Sequence, residues 1–169
     1  MRRRPAERIA RAAWVLVVPA FATALAAGLP VQPKLLPPDQ AFRLSARALD
    51  PTTIEARFDV ADGYYLYRDR IHFSVGSSGN LPADLPSGLR KHDEFFGDVE
   101  TYRGPVVIRV ALPSAAPGRT LTLQTDSQGC ADVGVCYPPN PQALEIAVPM
   151  AGGKPGAFVE AGPKKSWLK

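Results

Sequence analysis

The sequence predicts an antiparallel β-sandwich. Three observations carry that expectation. Apolar and polar residues alternate in short runs along the middle of the chain, Pro and Gly punctuate the gaps, and no long stretch has the apolar period of a helix.

The runs can be taken in order. Residues 41–49 read as a first strand. Ile54, Ala56, Phe58 and Val60 alternate with Glu55, Arg57 and Asp59, so one face is buried and the other wet. Asp62-Gly63 is a turn signal. Ile71, Phe73 and Val75 alternate with His72 and Ser74, which makes His72 a surface strand histidine. Val106, Ile108, Val110 and Leu112 share a face, as do Leu121 and Leu123, and Leu144, Ile146 and Val148 form the last clear run. The sum is about seven short strands and no helix, which suits a sandwich.

Two segments break the alternation. Tyr64-Tyr65-Leu66-Tyr67 crowds tyrosines onto both faces of what should be a half-buried strand. His92-Asp93-Glu94-Phe95-Phe96-Gly97-Asp98 mixes acids with aromatics and reads as a loop. Adjacent phenylalanines are costly to leave in water. The loop should therefore lie over something apolar or fold its own rings inward.

The N-terminus indicates a compartment. Arg2, Arg3, Arg4, Arg8 and Arg11 precede an apolar run over residues 12–27, and Ala24-Leu25-Ala26 offers a small-x-small cleavage pattern. This is the layout of a secretory signal over residues 1–26. The run is about sixteen residues long, short of the roughly twenty that a spanning helix needs, and the alternative is an uncleaved anchor. Cleavage after Ala26 would remove five arginines and one glutamate, which turns the formal net charge of +4 into zero. Nucleic-acid binding then loses its electrostatic footing. Residues 27–40 are expected to be an extended Pro-rich lead-in, residues 41–150 one domain, and residues 151–169 a flexible tail.

Cys130 and Cys136 are the only cysteines, and export to an oxidising space would allow them to pair. A bridge closing about seven residues is worth roughly 2.4 kcal/mol in the chain-entropy description, against about 4.7 for a hundred-residue loop. Redox exchange is thus a better reason for such a bond than mechanical stapling, although a local clip that fixes a hairpin stays open. A zinc site could draw only on His72 and His92, at no recognised spacing. No phosphate-binding glycine loop, serine triad or hydrolytic carboxylate pair is present, so no metal, flavin or nucleotide is expected.

Three stretches together resemble the N-terminal periplasmic domain of the DsbD family of transmembrane thiol:disulfide interchange proteins. They are Asp62-Gly63-Tyr64-Tyr65-Leu66-Tyr67-Arg68, Asp93-Glu94-Phe95-Phe96-Gly97 and Gly129-Cys130-Ala131-Asp132-Val133-Gly134-Val135-Cys136-Tyr137-Pro138-Pro139. They occur in the family's order, and the resemblance covers residues 38–149. It implies an immunoglobulin-like β-sandwich and a relay of electrons in the periplasm. The implied donor is a thioredoxin-like domain. The implied acceptors are a disulfide isomerase or the thioredoxin-like protein of cytochrome c maturation.

By the same resemblance Cys136 forms mixed disulfides with partners and Cys130 resolves them. Phe95 belongs to a cap loop over the disulfide, with Asp93, Glu94, Phe96 and Gly97 around it, and Tyr65 and Tyr67 line the site. Carboxylates of Asp93 and Glu94 near the sulfurs would disfavour a thiolate. Full-length members continue into a membrane-spanning region and a thioredoxin-like domain, whereas this chain stops at Lys169. It is therefore expected to be a free-standing or truncated module. Its donor would be a separate membrane protein, and its own membrane contact would come only through that donor or an uncleaved signal. The competing class is a non-enzymatic immunoglobulin-like binding or assembly module whose bridge braces a hairpin.

Overall fold

The computed structural model describes residues 34–94, 96–112 and 115–162. The signal over residues 1–26, the start of the lead-in, Phe95 and the last residues of the tail lie outside that set.

One helical turn, α1 (Pro38–Ala41), precedes β1 (Phe42–Asp50), β2 (Thr53–Val60) and β3 (Tyr64–Tyr67). A 3-10 turn (Arg68–Arg70) leads to β4 (His72–Val75), β5 (Ala83–Asp84), β6 (Leu89–Asp93) and β7 (Gly97–Tyr102). Then come β8 (Gly104–Ala111), β9 (Thr120–Ser127), β10 (Gly129–Ala131), β11 (Val135–Cys136), β12 (Asn140–Ala147) and β13 (Val159–Glu160). The sheets run β13-β1-β2-β8-β5, β11-β10-β3-β7-β6 and β12-β9-β4. Every pairing between these strands is antiparallel.

The alternating runs fold as expected. Phe42, Leu44, Ile54, Phe58, Ile108 and Val110 from the first sheet share one core with Phe73, Leu123, Leu144 and Ile146 from the third. Burying these apolar faces is the main favourable term of folding. The first strand starts and ends one residue later than expected. Among the described residues thirteen strands replace the expected seven or so, several of them only two to six residues long.

Three expectations need correction. The lead-in is not extended throughout, since residues 38–40 fall within α1. Proline is preset for a first helical turn and loses no hydrogen bond there. Residues 92–98 are not a plain loop. They close a hairpin between β6 and β7, whose last pair is Asp93 with Gly97. Gly97 has φ 69°, the left-handed backbone that commonly ends a three-residue hairpin connection. The tail over residues 151–169 is docked within its described part. Val159 and Glu160 pair with Ala46 and Ser45. The amides of Gly156 and Ala161 donate to the carbonyls of Ala48 and Leu44, each at 2.9 Å. The free edge of β1 needed partners for its backbone groups, and the tail supplies them.

β3 is buried along its whole length. Tyr64 and Leu66 point into the main core, whereas Tyr65 and Tyr67 form a second cluster with Cys130. Next to that cysteine the chains approach closely. A Cβ on Gly129 would stand 2.3 Å from the Tyr65 carbonyl oxygen and 2.7 Å from the Phe42 ring. The Gly129→Ala substitution should therefore cost about 3 kcal/mol or more through overpacking. The check is the urea midpoint of the oxidised protein, and a loss below about 0.5 kcal/mol would contradict this packing.

Candidate functional site

Cys130 lies on β10 and Cys136 on β11, directly opposite one another in the register. They form a disulfide, with Cα atoms 4.0 Å apart. The turn between them, residues 132–134, lets the strands pair at once, so the short spacing does produce a local hairpin bridge. The two sulfurs differ in exposure. Cys130 is fully buried, whereas Cys136 is half-buried and lines a surface groove with Tyr65, Lys91, Asp93 and Glu94.

β10 pairs with β3 so that Cys130 is opposite Tyr65. Period two then places Tyr67 on the same face. The Tyr67 Oη lies 3.1 Å from the Cys130 Sγ and 3.9 Å from the Cys136 Sγ. Disulfide sulfurs carry no proton, so the phenol is the only possible donor in these contacts. Its single proton has a stronger acceptor in the Asp93 Oδ2, at 2.8 Å. The Tyr65 hydroxyl donates to the same oxygen at 3.1 Å. The Lys91 ammonium donates to Asp93 at 3.1 Å and to the Tyr65 hydroxyl at 2.6 Å. A buried carboxylate is thus held by two phenols and one cation.

These neighbours set the local proton affinities. Burial pushes the Tyr67 phenol well above its ordinary value, and the neighbouring Tyr65 and Asp93 push it further. Burial works against the Lys91 ammonium, but its bonds to Tyr65 and Asp93 outweigh that and raise its pKa. On the far side, the Arg103 guanidinium holds the Asp132 carboxyl below the usual carboxylate range through bonds of 2.6 and 2.9 Å. That guanidinium also lies 5.3 Å from the Tyr65 ring centre.

The predicted site residues assemble as follows. Cys130, Cys136, Tyr65, Tyr67 and Asp93 come together around the bridge. Phe96 stands edge-on to Tyr67 with ring centres 5.0 Å apart, and the Arg70 guanidinium lies over the Phe96 ring, 4.5 Å from its centre. Gly97 turns the hairpin, and Glu94 sits exposed at its tip, lining the groove without the burial of Asp93. Phe95 lies outside the described residues.

Sequence reasoning missed Lys91, Arg103 and Arg70. It also missed the clasp beneath the cysteine hairpin. There the Leu36 amide donates to the Tyr64 hydroxyl at 2.8 Å, and the Tyr137 hydroxyl donates to the Leu36 carbonyl at 2.7 Å. Burial pushes the Tyr137 phenol up to about 12, with Tyr64 adding to the shift.

Comparison with known proteins places this geometry. The family described as "Thiol:disulfide interchange protein DsbD, N-terminal" matches residues 32–147. A thiol:disulfide interchange protein DsbD of Ralstonia nicotianae is 44% identical over 125 residues, which is 72% of this chain and 20% of the relative. A DsbD 2 of Pseudomonas aeruginosa is 40% identical over 131 residues, 76% of this chain and 21% of the relative. The chain therefore spans about a fifth of the length of these curated relatives. Among solved structures, the reduced N-terminal domain of Neisseria meningitidis DsbD superposes with a TM-score of 0.62 at 30% identity, covering 76% of this chain and 96% of that one. A complex between the DsbD and PilB N-terminal domains of the same organism matches with a TM-score of 0.55 at 33% identity, covering 66% of this chain and 86% of that one. The β-sandwich is thus of the immunoglobulin-like kind implied by the sequence resemblance.

The buried phenol yields a prediction. Tyr67→Phe removes a bond to a charged partner and should cost about 1.5–3 kcal/mol at neutral pH. Because the folded-state pKa of Tyr67 is raised, its contribution is fully present below about pH 10, where free phenols ionise, and fades as pH climbs through the folded value. Urea titrations across the alkaline range should give a shallower fall in stability for the variant than for the wild type. Parallel curves would refute the burial of that proton.

Proposed function

The chain belongs to the DsbD N-terminal domain family, and from that premise we propose that Cys130 and Cys136 relay electron pairs between protein partners by thiol–disulfide exchange. The observation that carries this reading is the unequal exposure of two bonded sulfurs beneath one hairpin. A merely structural clip has no need of a groove at one sulfur and complete burial at the other.

The chemistry follows from that inequality. In the dithiol form, Cys136 is the sulfur an incoming protein can reach. Its thiolate attacks one sulfur of the partner's disulfide, forming a mixed disulfide and expelling the partner's other sulfur as a thiolate. Cys130, held behind it, then attacks the Cys136 sulfur. The partner's second cysteine leaves, the Cys130–Cys136 bond closes, and two electrons and two protons have passed to the partner. The same steps in reverse recharge the module from a reduced donor. The β6–β7 hairpin, with Asp93, Glu94, Phe96 and Gly97 and the adjoining Phe95, acts as the cap that a cognate surface displaces. Tyr65 and Tyr67 form the wall behind the couple.

The module works in the periplasm, exported by a signal over residues 1–26, with residues 41–150 as its redox domain. Among the described residues no helix is long and apolar enough to cross a membrane. Its donor is a thioredoxin-like domain carried by a membrane protein. Its acceptors are oxidised periplasmic proteins of the disulfide isomerase or cytochrome c maturation type. The solved DsbD–PilB complex supports partner docking by this kind of domain, and the reduced form of a related domain supports cycling of the couple.

Trapping tests the assignment. A Cys130→Ser variant should accumulate mixed disulfides through Cys136 when exposed to periplasmic extract, and Cys136→Ser should not. The reverse pattern would exchange the two roles. Equilibration with glutathione tests the exchange itself, because a couple more reducing than about −300 mV would behave as a structural bridge.

A further inference from the structure

Lys91 belongs to none of the three motifs, yet its side chain reaches the centre of the site. Its ammonium lies 2.6 Å from the Tyr65 hydroxyl, 3.1 Å from Asp93 and 4.0 Å from the Tyr65 ring centre. The Asp93 side chain is only 3% exposed, whereas that of Lys91 is 37% exposed. Lys91 also lines the groove that contains Cys136.

The carboxylate is separated from the buried sulfur by one hydroxyl. Asp93 Oδ2 to Tyr67 Oη is 2.8 Å, and Tyr67 Oη lies 3.1 Å from the Cys130 Sγ and 3.9 Å from the Sγ of Cys136, the sulfur that lines the groove. An anion at that range opposes formation of a thiolate. A bare carboxylate would therefore slow the exchange that the fold is built to perform.

The other ionisable side chains nearby are engaged elsewhere or stand at the rim. Arg103 is bound to Asp132, and His92 lies 2.7 Å from Asp98. Arg70 lies over the Phe96 ring. Glu94 stands at the exposed rim of the groove. Tyr65 and Tyr67 contribute hydroxyls that donate to Asp93. Lys91 is a cation in direct contact with Asp93, at 3.1 Å.

We propose that Lys91 is the charge-balancing residue of the redox site: its ammonium offsets the Asp93 carboxylate, so the sulfur couple faces a neutral pair instead of an anion. This rests on the exchange reading above and assigns a regulator to that same couple. No electron or proton passes through Lys91.

The size of the effect follows from thiol reactivity. Raising a thiol's pKa by one unit cuts its thiolate population about tenfold at pH values below that pKa. Intrinsic nucleophilicity recovers roughly threefold of this, leaving a net slowing of about threefold per unit.

The test uses the reduced full chain and iodoacetamide, an uncharged reagent that Lys91 cannot attract. Alkylation of Cys136 is followed by mass spectrometry across pH. The Lys91→Met profile should move to higher pH by about one unit, with about threefold slower reaction at neutral pH. Lys91→Arg keeps the charge and should stay near wild type. Lys91→Met combined with Asp93→Asn removes both charges and should return towards wild type, a rescue that a purely structural role for Lys91 would not give. If Lys91→Met fails to fold, Lys91→Gln takes its place in both arms.

Three results would overturn the proposal: a Lys91→Met profile superimposed on wild type, an equal displacement by Lys91→Arg, or no rescue in the double variant. The exchange reading is tested separately by the Cys130→Ser trap, so loss of trapping and loss of the Lys91 effect are distinguishable.

Discussion

Side-chain alternation along β3 sends Tyr64 and Leu66 into the core and turns Tyr65 and Tyr67 the other way. The outward rings must be covered, and their hydroxyls must find partners where water is excluded. The cysteine hairpin covers one flank, and the β6–β7 hairpin covers the other. Asp93 accepts from both phenols, and burial of its carboxylate in turn requires a cation, which Lys91 supplies. Each group near the sulfurs is thus present because of the one before it. This chain of dependence starts at β3, a strand with no wet face.

The site combines a rigid back with a lighter front. Behind the sulfurs lie the core and the clasp of Leu36, Tyr64 and Tyr137. In front, Phe96 is still 36% exposed and rests on Tyr67 by an edge contact. Displacing that ring removes far less apolar surface from its packing than opening any part of the core would. Local opening is drawn from such lightly packed elements. On the exchange reading proposed above, this difference in local stability would let a docked partner reach a bond that small reagents do not.

Much of this was legible beforehand. Regular alternation marked the long strands, because a face buried against the core leaves a strict period of two. The tyrosine cluster marked β3 by violating that period, for the physical reason that both of its faces are covered. The cysteine motif marked the bridge. The β6–β7 hairpin was hidden. Leu89, Arg90, Lys91 and His92 are polar or exposed on both sides, so no periodicity separates them from a loop. Once residues 89–93 are recognised as a strand, Lys91 and Asp93 fall on one face, and their pairing could be read. The spacing of cysteines could not reveal which sulfur is the more exposed, because that depends on what packs over the hairpin. The docked tail was equally silent, since β13 is two residues long and sits in a Gly- and Pro-rich stretch.

That small strand has a consequence for crowded conditions. β1 is nine residues long, and without β13 its outer margin would offer a row of unsatisfied backbone groups. Such a row is a template on which a second molecule can add its own strand and begin to aggregate. With the strap from Gly156 to Ala161 in place, that template is occupied by the molecule itself. A second copy of the domain then finds the strapped part of this edge already paired.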